Sequence, residues 1–221
     1  MSFDAQHGTF SEWLRAAAEP DWTAAVTHPF VDGLYTGELA EPVLRRYLVQ
    51  DYQFVDRFVA LLGAAVAGAD TVDGRMVLAR QLGVIGGGEN TYFQRSFTAL
   101  GVPEADREAP ALHPVTEAFN RLMDQARASL DYPSCLIVLT VAEWLYSDWA
   151  ERAPQTPPRN AICAEWIELH RGPEFTAWVD WLRAELDRLG PGLTAEAARG
   201  CRELFCRATT LEREFFDAVR P

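Results

Sequence analysis

The chain has 221 residues, 48% hydrophobic and 24% charged, which is long and apolar enough to bury one large core. Its 32 acidic and 20 basic side chains leave a net charge of −12 without a basic patch, which argues against a nucleic-acid partner, because such binders neutralise phosphates with clustered Lys and Arg. No apolar run reaches bilayer length, the first ten residues carry no export signal, and the four cysteines form no CxxC pair, so the expectation is a cytoplasmic protein with reduced, largely buried thiols and neither a membrane nor a zinc partner.

In chain order the sequence reads as helix after helix. Thr9 to Leu14 opens a short helix and Asp21 to Val26 forms another. From Leu39 to Gly68 a long helix is predicted, with Leu44, Tyr47, Leu48, Asp51, Phe54, Val55, Phe58 and Leu62 at three- and four-residue steps and Pro42 tolerated in its first turn. A second long helix is predicted over 71–100, stopped by Gly101 and Pro103. Within it, Gly86-Gly87-Gly88 lacks the following Lys-Ser/Thr and the preceding strand of a phosphate loop; three glycines there imply a kink or a close helix approach near a pocket. Glu89 beside them is a further candidate to face such a pocket, with no role assigned to it.

Residues 102–113 read as a loop, 114–130 and 133–152 as helices, and the Pro-rich 153–158 stretch as a turn. Helices follow over 159–170 and 174–189, and after Gly190-Pro191-Gly192 a last helix capped by Thr194 runs almost to the C-terminus. His28 and His113, each before a proline, read as turn or loop residues. With no period-2 alternation, no repeat and only short linkers, the expectation is one all-α domain spanning 1–221.

Two carboxylates stand out. Asp51 lies in Tyr47-Leu48-Val49-Gln50-Asp51-Tyr52-Gln53-Phe54-Val55, and Glu143 follows the apolar run Leu136 to Ala142. Burying such a group is costly unless it is partnered or protonated, and that cost makes each a candidate site residue. The plain alternatives are ion pairing of Asp51 with Arg45, Arg46 or Arg57 and a solvated Glu143.

Four ordered segments carry a resemblance: Tyr47-Leu48-Val49-Gln50-Asp51-Tyr52-Gln53-Phe54, Glu143-Trp144-Leu145-Tyr146-Ser147-Asp148, Trp166-Ile167-Glu168-Leu169-His170-Arg171-Gly172-Pro173-Glu174-Phe175 and Leu211-Glu212-Arg213-Glu214-Phe215-Phe216. Together they resemble the TenA (thiaminase II-like) family. The resemblance implies a heme oxygenase-like helical bundle with a pocket between its long helices, homodimeric or homotetrameric assembly, a small pyrimidine as substrate and no cofactor. It implies that Asp51 binds the amino side of the pyrimidine, that Phe54 lines its ring, and that Tyr146 and Glu212 belong to the site. Phe119 stands where the family has a tyrosine, and His170 where it has another. The nucleophilic cysteine of many members is replaced by Ala142, with Glu143 beside it, so the chain resembles the branch that lacks this cysteine. That branch favours amino- or formylamino-methyl pyrimidines over intact thiamin. Cys135, seven residues before Ala142, remains an alternative nucleophile.

The chemistry of an aminopyrimidine suits carboxyl groups, because the ring presents an acceptor nitrogen next to a donor amine. Glu212, protonated in an apolar pocket, would act as the acid, Glu143 as the base, and Tyr146 and His170 would orient water or the ring. Phe54, Tyr47 and Trp144 offer aromatic faces for stacking. Tyr146 and Trp144 could equally be core residues, and His170 a helix C-cap. Two other classes stay open: a non-catalytic pyrimidine-binding or regulatory protein on the same scaffold, and a cofactor-free or metal-dependent oxidase or oxygenase. For a metal site the sequence offers only four histidines and no Glu-x-x-His pair.

Overall fold

A computed structural model describes residues 3–220; Met1 and Ser2, part of the segment read for an export signal, and Pro221 lie outside the described residues. Among the described residues there are twelve α-helices and no strand. They are α1 (Phe10–Ala17), α2 (Asp21–Val26), α3 (Pro29–Thr36), α4 (Glu41–Gly68), α5 (Val72–Val84), α6 (Asn90–Ala99), α7 (Glu104–Glu108), α8 (Pro114–Ser129), α9 (Tyr132–Glu151), α10 (Ala161–Leu169), α11 (Pro173–Leu189) and α12 (Ala195–Ala218). A π-helical turn, Ile85–Glu89, joins α5 to α6, and a 3-10 turn, Gly190–Gly192, follows α11. No helix among these residues is long and apolar enough to cross a membrane.

Short polar side chains set the helix starts. Thr9, Thr71, Asp131, Asn160 and Thr194 each accept a hydrogen bond from a first-turn amide that the helix itself leaves unpaired. His28 does the same for α3: its Nδ1 accepts from the Phe30 amide, and Pro29 at the first helical position needs no donor. The sequence reading leaves 29–36 unassigned and treats 102–113 as loop, whereas α3 and the five-residue α7 occupy parts of these stretches. His113 likewise stands at the N-cap position of α8. The predicted helix over 71–100 is real but interrupted, because its glycine run takes the wider π-helical turn.

The centre of the molecule is built from α4, α8, α9 and α12, which pack on one another; α5 covers α4, α11 covers α9, and α1 and α2 lie against α12. Helix α9 is apolar around its whole circumference from Cys135 to Leu139 because neighbours surround it, and that leaves no face for charge except where a cavity meets it. Each large side chain buried here, such as Leu136, Leu139 or Phe215, contributes roughly 1.5–3 kcal/mol of transfer free energy. Two glycines are required by close approach. Gly37 ends α3 at φ 67°, and a Cβ there would lie 2.9 Å from Pro158; at Gly190 a Cβ would sit 2.4 Å from the Phe10 ring, so the chain after α11 can press against α1 only without a side chain.

One buried charge is structural. Glu185 of α11 accepts from the Tyr132 hydroxyl at 2.9 Å and from Arg188 Nε at 2.8 Å, and Arg188 also donates to Asp70 at 2.6 Å. This network ties the end of α11 to the start of α9 and to the α4–α5 link, away from the cavity described next.

Candidate active site

Helical spacing brings one stripe from each of several elements to a common cavity that opens to solvent. Helix α4 contributes Asp51, Phe54, Val55 and Phe58; α8 contributes Phe119 and Met123; α9 contributes Ala142, Glu143 and Tyr146. Ile85 and Glu89 come from the two ends of the π-helical turn, Trp166 from α10, His170 from that helix's C-cap and Glu212 from α12. Nearly all of these positions recur at three- or four-residue intervals, the spacing that aligns side chains on one helix face.

Seven of the nine residues given a role in the sequence therefore meet: Asp51, Phe54, Phe119, Glu143, Tyr146, His170 and Glu212. The expectation fails for Tyr47, which does not line the cavity. Fully buried one turn earlier on α4, it accepts from Trp166 Nε1 at 3.0 Å, and its hydroxyl pairs with that of Tyr146 at 3.0 Å. The Tyr146 hydroxyl also reaches Asp51 Oδ1 at 3.5 Å. Tyr47 thus joins Trp166 to Tyr146 in a hydrogen-bonded chain that ends on a cavity carboxyl. Trp144 also lies elsewhere, edge-on to Trp22 and capped by the Arg183 guanidinium 4.2 Å from its ring centre.

The plain ion-pair reading of Asp51 is not what the structure contains. Arg45 donates to the carbonyls of Leu100 and Gly101, Arg46 to that of Val219, and Arg57 pairs with Asp56. Gln50, the neighbour of Asp51, binds Ala111 O and accepts from the His113 amide and the Thr116 hydroxyl, so it pins the loop before α8 and does not line this cavity. Cys135 does not reach the cavity: two turns before Ala142, it contacts Ala126 O, and burial pushes its thiol up to about 11, which leaves it protonated.

The cavity carries four carboxyl groups and no Lys or Arg. Asp51 and Glu143 are each 8% exposed and Glu212 only 2%. Burial, followed by the neighbouring charge of Glu89, holds Asp51 well above the ordinary carboxylate range, and burial with the charge of Asp51 does the same for Glu212. Burial and then Glu89 raise Glu143 to about 8. The indole N–H of Trp178 lies beside Glu143 and opposes that rise, although it meets no acceptor at hydrogen-bonding geometry. Glu89 itself is raised to about 7 by burial of its carboxyl, while the residue as a whole keeps partial solvent access through the cavity. Glu212 has no hydrogen-bond or ion-pair partner among the described residues.

His170 is neutral by the same physics. Burial lowers it to about 4 against the opposing bond from its Nδ1 to Trp166 O at 2.8 Å. That bond makes Nδ1 the protonated nitrogen and leaves Nε2 as an acceptor. Among the described residues no group of three or more His, Cys, Asp or Glu side chains is arranged to hold a metal ion. Residues the sequence reading leaves unassigned here are Glu89, Val55, Phe58, Ile85, Met123 and the ring of Trp166; a four-residue step from Phe119 signals Met123, and the same step from Ile85 signals Glu89.

Fold and cavity together define a helical bundle that holds a cavity with aromatic walls and acidic polar groups. The TENA/THI-4/PQQC family model matches residues 15–221, and the chain belongs to that family. It is similar to an aminopyrimidine aminohydrolase of Bacillus subtilis, 27% identical over 94% of this chain and 88% of the relative. Among solved structures it resembles a TenA family transcription regulator from Silicibacter, with a TM-score of 0.85, 25% identity, and coverage of 97% of this chain and 98% of that one. Heme oxygenase-2 from Synechocystis superposes with a TM-score of 0.59 at 15% identity over 96% of this chain and 85% of its own, which identifies the fold as heme oxygenase-like.

Proposed function

We propose that the protein is an aminopyrimidine aminohydrolase of thiamin salvage, which converts an amino- or formylamino-methyl pyrimidine to its hydroxymethyl counterpart. The observation that carries this reading is the convergence of Asp51, Glu143 and Glu212, drawn from three helices, on one aromatic-walled cavity. The family match and the name of the Bacillus subtilis relative support the same reaction class. Asp51, oriented by Tyr146, accepts from the exocyclic amine of the pyrimidine. Glu212, kept protonated by its surroundings, donates to the ring nitrogen and makes the ring electron-poor. The C–N bond of the side chain breaks and its electron pair leaves on the amine nitrogen. Water oxygen forms the new C–O bond, and the proton that water loses passes to Glu143, the base once ionised. For the amine substrate the net change is R–CH2–NH3⁺ plus water to R–CH2–OH plus ammonium. Phe54, Phe119 and Trp166 wall the flat ring, and His170 Nε2 accepts from ring or water.

Ala142 lines the cavity without bringing a thiol to it, and Cys135 is remote and protonated, so direct attack by water is the step these residues support. The test is a substrate panel of thiamin, 4-amino-5-aminomethyl-2-methylpyrimidine and its N-formyl derivative, with products separated chromatographically. Hydroxymethyl pyrimidine from the amine or the formamide, with little or none from thiamin, is the expected result. Saturable binding of the pyrimidines without any product would instead make the protein a non-catalytic binder.

A further inference from the structure

Resting on the reaction proposed above, we infer that Glu89, carried into the cavity by the π-helical turn, pairs with Glu143 to grip the substrate's side-chain ammonium, so that the enzyme selects a cationic amine over a neutral formamide. The turn provides the first observation. Ile85 and Glu89 face the cavity from its two ends, while Gly86, Gly87 and Gly88 between them lie exposed with open space where a Cβ would be. A π-helical turn widens the helix locally and re-aims the side chains that flank it, and such turns occur often at functional sites. Here α6 is fixed behind the turn, with Tyr52 of α4 bonded to Asn90 at 3.3 Å and Gln94 to Tyr52 at 3.2 Å, so Glu89 has a held position.

Charge provides the second. The groups facing Glu89 across the cavity are Asp51 from α4 and Glu143 from α9; His170 is neutral, and no Lys or Arg lines the space. Glu89 has no hydrogen-bond or ion-pair partner among the described residues, and Glu143, 8% exposed, has only the poorly aligned Trp178 N–H. The charge of Glu89 adds to the cost of ionising Glu143, and a cation placed between the two carboxyls would relieve that cost. An ammonium offers three N–H donors and a positive charge, whereas a formamide offers one N–H and a carbonyl oxygen that a carboxylate repels. Asp51 and Glu212 remain for the ring, so each pair of carboxyls has its own end of the substrate. Holding the nitrogen as an ammonium also lets it depart as neutral ammonia when the C–N bond breaks.

The experiment compares steady-state kcat and KM for the aminomethyl pyrimidine and its N-formyl derivative, in wild type and in Glu89→Gln. The glutamine keeps size and hydrogen bonding but removes charge. The wild type should prefer the amine, and the variant should lower the amine-to-formamide ratio of kcat/KM by about 30-fold, mainly by raising KM for the amine. Glu89→Asp should restore part of the ratio, which a purely structural role for the turn would not produce. An unchanged ratio, or an equal loss on both compounds, overturns the Glu89 assignment alone. A folded wild type that converts neither compound overturns the proposed reaction itself.

Discussion

The proton inventory of the cavity sets the first expectation. Glu143 at about 8 and Glu89 at about 7 bind protons in the folded state that the unfolded chain, with glutamates near 4.5, has already released. Their contribution to stability is therefore complete below about pH 4.5 and is lost as pH rises through about 7 to 8. His170 works in the opposite sense, since its folded value near 4 lies below the ordinary 6.5 and stability is lost as pH falls through that window. Above about pH 6.5 the raised carboxyls act, Asp51 and Glu212 with Glu89 and Glu143, so the melting temperature should drop by roughly 4–8 °C between about pH 6.5 and 8.5, and Glu143→Gln should remove its own part of that slope. A wild-type slope that survives unchanged in the variant would show that Glu143 ionises normally. Tyr47→Phe removes the acceptor of the Trp166 N–H and the hydroxyl partner of Tyr146. It should cost about 1–3 kcal/mol of stability and reduce turnover severalfold, measured by denaturant unfolding and initial rates.

Asp51 and Glu143 were legible in the sequence because a carboxylate amid Leu, Val and Phe must either be partnered or line a cavity. Tyr47 misled for a related reason: it shares the α4 stripe with Asp51 and Phe54, but the cavity begins only at Asp51, and no periodicity marks where along a stripe the packing opens. Glu89 gave a weak signal, since its neighbours are glycines and carry no apolar pattern to show which face turns inward.

Helix boundaries were readable where a capping threonine announces them, as at Thr9, Thr71 and Thr194, but not at Pro29, where a histidine takes the cap. The π-helical turn was legible only as an anomaly: three glycines imply a break, but its type depends on how α6 docks on α4, a tertiary contact. Since a Cβ at Gly87 meets nothing, Gly87→Ala should reduce the freedom of the unfolded chain without a clash in the folded one. A gain of roughly 1–3 °C in melting temperature is expected, read by differential scanning fluorimetry. A loss of stability would mean that the turn needs glycine's wider backbone range.

As a whole, the molecule is a helical bundle of the TENA/THI-4/PQQC family whose long helices deliver aromatic walls and unpartnered acids to one place. Its structural charges, such as Glu185 with Tyr132 and Arg188, are satisfied, whereas Glu212 is buried without a partner. Burying an ionisable group without a partner is costly for stability, and catalysis is the return this account assigns to that cost. The most direct measurement is ammonia release from 4-amino-5-aminomethyl-2-methylpyrimidine by wild type and by Glu212→Gln, with the fold of both checked by circular dichroism. The account predicts steady release by the wild type and a loss of at least about a hundredfold in the folded variant, the scale on which a positioned acid contributes. Release by Glu212→Gln at the wild-type rate would contradict it.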